Sequence, residues 1–267
     1  MQQLGKIINP HDLRGARLKR NSLTAGIVAA WNPNIFPGGN TLYDRAGVNN
    51  GTITGADWVA DAKMGHCLDF AVDGDKVVIP DAADLDGMND LTLMAWINVD
   101  SPGTYGRVFD KGNGASYILH VSGVVTVTEL YFYISGAYIS ATTLPDMRGA
   151  SHQVAGTYKR NTAGGWLIYL DGAIVKTANA PDTAVAAGAN DLWIGNRSTG
   201  GRPFYGCIGQ AFIFARALSA AEIAAIYADP YQIWDVGEEE WEWAKAPAAA
   251  SGNPHYYYQM LSKRRAG

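Results

Sequence analysis

Cysteine is nearly missing from this 267-residue sequence, which holds only Cys67 and Cys207. Two thiols cannot make the disulfide framework of a small secreted scaffold, and their separation matches no zinc-ligand spacing. They read as buried thiols rather than a bridge. Charge is sparse as well, at 17%, with 21 basic against 25 acidic residues. A net charge of −4 supplies no global field to draw the chain to nucleic acid or an anionic membrane. Long apolar runs are missing too: the longest, Ala25 to Trp31, falls far short of the roughly 20 residues that span a bilayer. The opening MQQLGKIINPHDLRG lacks the continuous apolar stretch of a secretory signal, so the expectation is a chain made in a cytoplasm and carried out, if at all, by lysis or a partner. The sequence also has no G-x-S-x-G elbow, no phosphate-cradling Gly-rich Lys loop and no His-Glu-x-x-His.

What is present is enough apolar matter for a large core, 48% of residues, together with 31 Gly and 11 Pro. Val, Ile, Thr, Tyr and Trp stand in short runs between turn residues, the pattern of an all-β sandwich. Expected strands are Ile27–Trp31, Cys67–Phe70, Lys76–Ile79, Leu91–Val99, Tyr117–Val121, Val125–Ile134, His152–Tyr158, Trp166–Leu170, Leu192–Ile194 and Phe204–Phe214. One segment is helical. Ser219 is followed three residues later by Glu222, a capping box, then by Ile223, Ile226 and Tyr227 at helical spacing before Asp229-Pro230. That predicts a short helix over Ala220–Ala228.

Charge divides the chain into a basic N-terminal arm (1–25), a core (26–230) and an acidic, aromatic C-terminal arm (231–267). The first arm carries Lys6, Arg14, Arg17, Lys19 and Arg20 against Asp12 alone. The last interleaves Glu238, Glu239, Glu240 and Glu242 with Trp241 and Trp243, then runs to Tyr256, Tyr257, Tyr258 and Lys263-Arg264-Arg265. Both ends can be read as disordered tails. Tails are usually poor in large aromatics, however, and binding surfaces are rich in them. The reading is therefore docking arms, with Arg14, Arg17, Arg20, Trp234, Trp241, Trp243, Tyr256 and Tyr257 as the contact residues. Opposite signs on the two arms suit pairing across subunits, which would make a homo-oligomer. Nucleic acid is the weaker partner, because neither arm interleaves basic residues with stacking aromatics on a folded platform.

From Gly26 onward, GIVAAW, TLYDRAGVNNGTITGADW, GHCLDF, DGDKVVIPDAADL and LTLMAWINV resemble the front half of laminin-G-like domains of the concanavalin A-like superfamily. SHQVAGTY, LIYLDGAIV, LWIGN and FYGCIGQAFIFARALSAAEIAAIY resemble the closing strands and terminal helix of that family, in the same order. The entry NPHDLRGARLKRNSLTAGIVAAW and the exit ADPYQIW are similar to flanks of laminin-G-like proteins encoded by tailed bacteriophages. The resemblance implies a jelly roll of two antiparallel sheets with a binding surface on one sheet face or its rim loops. It further implies a non-enzymatic virion component, a capsid decoration, fibre or tail-associated adhesion module fastened to other virion proteins through its arms. The alternatives are a free-standing lectin-like module for host-surface glycans and, more remotely, a glycoside hydrolase.

Hydrolases of this superfamily carry a Glu-x-Asp-x-x-Glu run on one strand, which this sequence lacks, and the dense carboxylates from Glu238 lie beyond the core. His152 is the histidine a mechanism would choose, yet in the family a histidine opening this strand packs structurally. His11, His66, His120 and His255 show no metal spacing. A structural calcium, the one cofactor in question, would draw on Asp73 and Asp75. The acidic and amide ligands of calcium-dependent pentraxin relatives are replaced here by Asn196-Arg197-Ser198-Thr199-Gly200-Gly201-Arg202, which counts against a ligand-bridging calcium, and the two aspartates read first as turn residues between strands. Alternation in Leu130-Tyr131-Phe132-Tyr133-Ile134 puts the two tyrosines on one face. If the other face is core, Tyr131 and Tyr133 form an exposed stripe for sugar rings, which Tyr138, Trp166 and Arg202 could join. The competing reading packs this stripe under a loop or against another protein.

Overall fold

The computed structural model describes residues 16–35, 37–61 and 64–235. Arg14, Trp241, Trp243, Tyr256, Tyr257 and the carboxylates from Glu238 to Glu242 lie outside the described residues. The strands in chain order are β1 (Arg17–Leu18), β2 (Ile27–Trp31), β3 (Thr41–Leu42), β4 (Gly51–Thr54), β5 (Asp57–Asp61), β6 (Gly65–Phe70), β7 (Lys76–Ile79), β8 (Asp90–Val99) and β9 (Gly106–Lys111). They continue as β10 (Tyr117–Ser122), β11 (Glu129–Ile134), β12 (Ala137–Ala141), β13 (Ser151–Lys159), β14 (Thr162–Leu170), β15 (Ala173–Ala180), β16 (Leu192–Ile194), β17 (Gly206–Phe214) and β18 (Trp234–Asp235). A single α-helix, α1 (Ala220–Ala228), stands between the last two.

These strands make a jelly-roll sandwich. One sheet runs β12-β11-β10-β9-β16-β7-β4-β3 and the other β15-β14-β13-β8-β17-β6-β5, with β2 also pairing β17. The alternation read in β11 holds: Leu130, Phe132 and Ile134 are buried in the core between the sheets, and Tyr131 and Tyr133 point away from it. Across the core, Phe132 meets Trp166 of β14 edge to face, centroids 6.3 Å apart. Gly156 of β13 makes room for that contact, since a Cβ there would stand 2.5 Å from the Phe132 ring. No larger residue fits without moving an aromatic.

The helix forms as its capping box predicts. Ser219 Oγ accepts from the Glu222 amide, and the Glu222 carboxylate accepts from the Ser219 amide at 2.9 Å. Arg216 then ties this cap to the start of the chain, donating to both Glu222 oxygens and to the carbonyls of Ser22 and Ala25. The Glu222 carboxyl is held down to about 2, chiefly by Arg216.

The ends of the described chain correct the division made from charge. Residues 16–25 and 231–235 belong to the folded body, not to arms. β1 pairs antiparallel with β18, Ala16 and Thr24 are buried, and Asn21 caps the turn at Ser22–Thr24. Trp234, expected to dock on a partner, is 1% exposed; its indole N–H donates to Gln210 Oε1 at 2.8 Å and its ring packs on Phe212. Ile233 is sealed with it, and Tyr231 is buried with its hydroxyl donating to the Met64 carbonyl. The exit motif ADPYQIW is thus a seam that closes the body.

Several strand starts also shift: β6 begins at Gly65 rather than Cys67 and β14 at Thr162 rather than Trp166. Val124 and Val125 are exposed turn residues, so β11 begins at Glu129, and β17 begins at Gly206 rather than Phe204. β9 escapes a hydropathy reading because it buries charge. Lys111, 1% exposed, donates to Asp81 Oδ1 at 2.5 Å and to the Asn190 carbonyl at 2.6 Å, which meets the requirement that a buried charge be paired. Cys67 is buried and Cys207 partly so, both as free thiols. Interaction with the Cys207 side chain and burial push the Cys67 thiol up.

Candidate functional site

The outer face of the β12-to-β3 sheet carries a connected grouping of aromatic and charged side chains. Register lays them in two rows. Arg107, His120, Tyr131 and Ser140 succeed one another across β9, β10, β11 and β12. Beside them run Trp193, Asp110, Ile118, Tyr133 and Tyr138, from β16 to β12. Because side chains alternate between faces, every one of these lies on the side away from the core.

The tyrosines form a connected surface. Tyr133 and Tyr138 stack at 4.7 Å and 24°, and Tyr131 lies 5.8 Å from Tyr138. Tyr138 is 54% exposed, so one ring face of the group is open to solvent. Tyr105, from the turn before β9, stands edge-on to both His120 and Tyr131. Its φ of +61° is a left-handed conformation that a non-glycine residue adopts at a cost, and such outliers cluster at functional sites. Arg202 lies over the Tyr105 ring at 4.6 Å and donates to the Thr104 carbonyl. The Tyr131 hydroxyl donates to Glu129 at 3.2 Å, and burial followed by that carboxylate pushes the phenol up to about 12.

Beneath the rings lies a polar floor. Arg107 Nε donates to Asp110 Oδ2 at 2.9 Å, with side chains 9% and 1% exposed. Asp110 also accepts from the Asn113 amide. Burial raises the Asp110 carboxyl against the pull of Arg107. His120 is 1% exposed; burial, then Arg107, bring its pKa down to about 3, so its imidazole is neutral at physiological pH. At the far end Trp193 lies under Lys76 Nζ at 5.3 Å and borders a cavity of about 230 Å³ shared with Asn190, Asp191 and Ser198.

Of the residues expected from sequence, Tyr131, Tyr133, Tyr138 and Arg202 converge here. Trp166 does not: it is 4% exposed, sits on the other sheet and packs edge-on to Tyr158 and Phe132 inside the core. Asp73 and Asp75 stand apart from this face, in turns. The Asp75 carboxylate accepts from the amides of Ala71 and Val72, while Asp73 accepts from the Gly201 amide and the Asn196 side chain. Each closes a turn, and among the described residues no group of three or more His, Cys, Asp or Glu is placed to hold a metal. His152 pairs with Asp171 at 2.7 Å, away from the aromatic face on the other sheet. Sequence reasoning missed Tyr105, Arg107, His120 and Trp193. Only register across β16, β9 and β10 and the turn before β9 brings them together, and no local spacing signals it.

Arg17 and Arg20 stand elsewhere. With Lys19 and Arg45 they line an open cavity of about 520 Å³, in whose wall no carboxylate stands among the described residues.

A family model for laminin-G-type domains, described as the concanavalin A-like lectin/glucanases superfamily, matches residues 72–224. No curated protein matches the sequence. Among solved structures, domain 4 of an extracellular arabinanase from Geobacillus stearothermophilus, in complex with arabinotriose, aligns with a TM-score of 0.58 at 19% identity, over 75% of this chain and 98% of that one. The binding domain of Paraclostridial mosquitocidal protein 1 aligns with a TM-score of 0.60 at 13% identity, over 79% of this chain; the chain spans 53% of it. A Trypanosoma rangeli sialidase in complex with sialic acid aligns with a TM-score of 0.54 at 17% identity, over 79% of this chain and 34% of that one. At these identities the likeness is one of fold.

Proposed function

The chain belongs to the concanavalin A-like lectin/glucanases superfamily, and from that premise we propose that it is a non-enzymatic carbohydrate-recognition module whose binding surface is the outer aromatic face. The observation that carries this reading is the continuous group Tyr105, Tyr131, Tyr133 and Tyr138, part exposed, over the Arg107–Asp110 pair. Open rings offer flat apolar surface to sugar C–H faces, and the polar groups around them offer hydrogen bonds to hydroxyls, the mix expected of a ligand site. The arabinotriose complex of a domain of similar fold, matched over nearly its whole length, agrees with it. Hydrolysis is disfavoured because the carboxylates beside the tyrosines are already engaged, Asp110 by Arg107 and the Asn113 amide, Glu129 by Tyr131. A glycan array probed with the full chain and with a Tyr133→Ala/Tyr138→Ala double variant tests the reading. Binding lost in the variant supports it, and binding unchanged refutes it.

The phage-like flanks support a second reading, that this module is a virion component docked to neighbouring capsid or tail proteins. Arg17, Lys19 and Arg20 around one cavity favour it, since a recess whose described wall is basic suits an acidic segment of a partner. Charge reversal at Arg17 and Arg20 should then abolish incorporation into particles while leaving glycan binding intact. Unchanged incorporation would refute docking through this recess.

A further inference from the structure

Arg107 holds a position that sugar stacking alone does not call for. Its side chain is 9% exposed on the floor of the face, and it meets Asp110 through Nε. Its two terminal nitrogens donate to no protein group among the described residues, and neither is among the buried atoms sealed without a partner. Both terminal nitrogens therefore reach solvent at this face, with Tyr133, His120 and Arg202 close enough to feel the guanidinium charge. The Arg107 amide donates to the Arg202 carbonyl, so the chain brings a second guanidinium to the same edge, fixed over Tyr105 at 4.6 Å. Facing these are Asp110, whose charge the Arg107 ion pair absorbs, and Glu129, which is bonded to Tyr131 at the opposite side. The local balance around Arg107 and Arg202 is positive.

Register supplies the reach. Arg107 lies opposite His120, and His120 opposite Tyr131, so the guanidinium and the tyrosine start about 10 Å apart, two strand spacings. A pyranose ring lying on Tyr131 or Tyr133 can extend an anionic substituent across His120 to Arg107. His120 stays neutral and adds no competing charge.

We propose that this face selects an acidic saccharide, with the ring on the tyrosines and a sugar carboxylate received by the terminal nitrogens of Arg107 and by Arg202. Guanidinium and carboxylate match as a two-pronged, charge-assisted pair, stronger than a neutral hydrogen bond. The inference rests on the sugar-binding reading of the same face and deepens it.

The test is calorimetric titration of the full chain with two matched pairs, sialyllactose against lactose and a galacturonate trisaccharide against the matching galactose trisaccharide. The expected result is a preference of about tenfold or more for the acidic member of at least one pair, as one charge-assisted bond provides. Arg202→Ala, at a partly exposed edge, should weaken binding of the acidic member more than that of its neutral partner, and so narrow the preference. Arg107→Lys, which keeps the charge beside Asp110 but loses the second prong, should do the same with the melting temperature preserved. Equal affinity within both pairs overturns the acidic assignment while the sugar-binding face stands. A sulfated lactose bound more tightly than sialyllactose overturns the carboxylate assignment. No binding by any of these sugars, with an array that also returns none, overturns both the inference and the reading beneath it.

Discussion

The His120 imidazole lies flat against the Tyr131 ring, centroids 4.6 Å apart and planes 15° from parallel. One is a buried base and the other part of an open surface, so the histidine is the foundation on which the tyrosine is aimed. The stack requires a neutral ring, because this site desolvates the imidazole and Arg107 repels its charge.

That requirement makes stability depend on pH. The folded His120 titrates at about 3 against an ordinary 6.5, so the unfolded chain binds the extra proton first as pH falls. The contribution is fully present above about 6.5 and is lost as pH drops toward 3, with a slope of at most about 1.4 kcal/mol per pH unit. Urea unfolding at a series of pH values should show His120→Gln flattening the curve between pH 6.5 and 4.5. Parallel curves for the two proteins would contradict it.

Trp166 and Tyr138 should separate cleanly in stability. Trp166 fills the core between Phe132 and Tyr158, so Trp166→Ala should cost about 3–5 kcal/mol. Tyr138→Ala, at an exposed ring, should cost under about 1 kcal/mol. Denaturant midpoints decide the matter, and a small loss at Trp166 would place it outside the core.

Trp234 closes the body, and its loss should be felt there. Trp234→Ala removes a buried ring and its bond to Gln210, a cost of about 3–5 kcal/mol. A chain ending at Pro230 should melt well below the intact one. An unchanged melting temperature would return residues 231–235 to the status of an arm.

The helix cap has its own acid signature. Glu222 titrates at about 2 rather than 4.5, so its stabilisation is present above 4.5 and is lost as pH falls through 2. Glu222→Gln should remove that part of the acid sensitivity, and Ser219→Ala should cost about 1 kcal/mol. Thermal melts between pH 5 and 2 would reveal either effect.

Much of the sandwich was legible because its strands advertise themselves. Ile27–Trp31, Lys76–Ile79 and Leu192–Ile194 fall on β2, β7 and β16, and the capping box delimits α1. β9 was not legible, since Arg107, Asp110 and Lys111 look like surface charge until their partners from distant segments are in place. β15 was missed for the opposite reason: its side chains are mostly exposed, so burial imposes no alternation on them. In the site, alternation alone set Tyr131 and Tyr133 on one face, but it could not tell whether Trp166 lay on the same sheet. Trp234 and Arg17 show the limit of charge as a guide to domain ends: a short pairing of β1 with β18 takes both into the body.

The most direct measurement is a crystal structure of the full chain with the tightest-binding oligosaccharide from the array. The account predicts a sugar ring lying on Tyr133 and Tyr138, with its polar groups turned toward Arg107 and Arg202. Sugar density at the loop of residues 196–202 beside Asp73, with the tyrosine face empty, would contradict it.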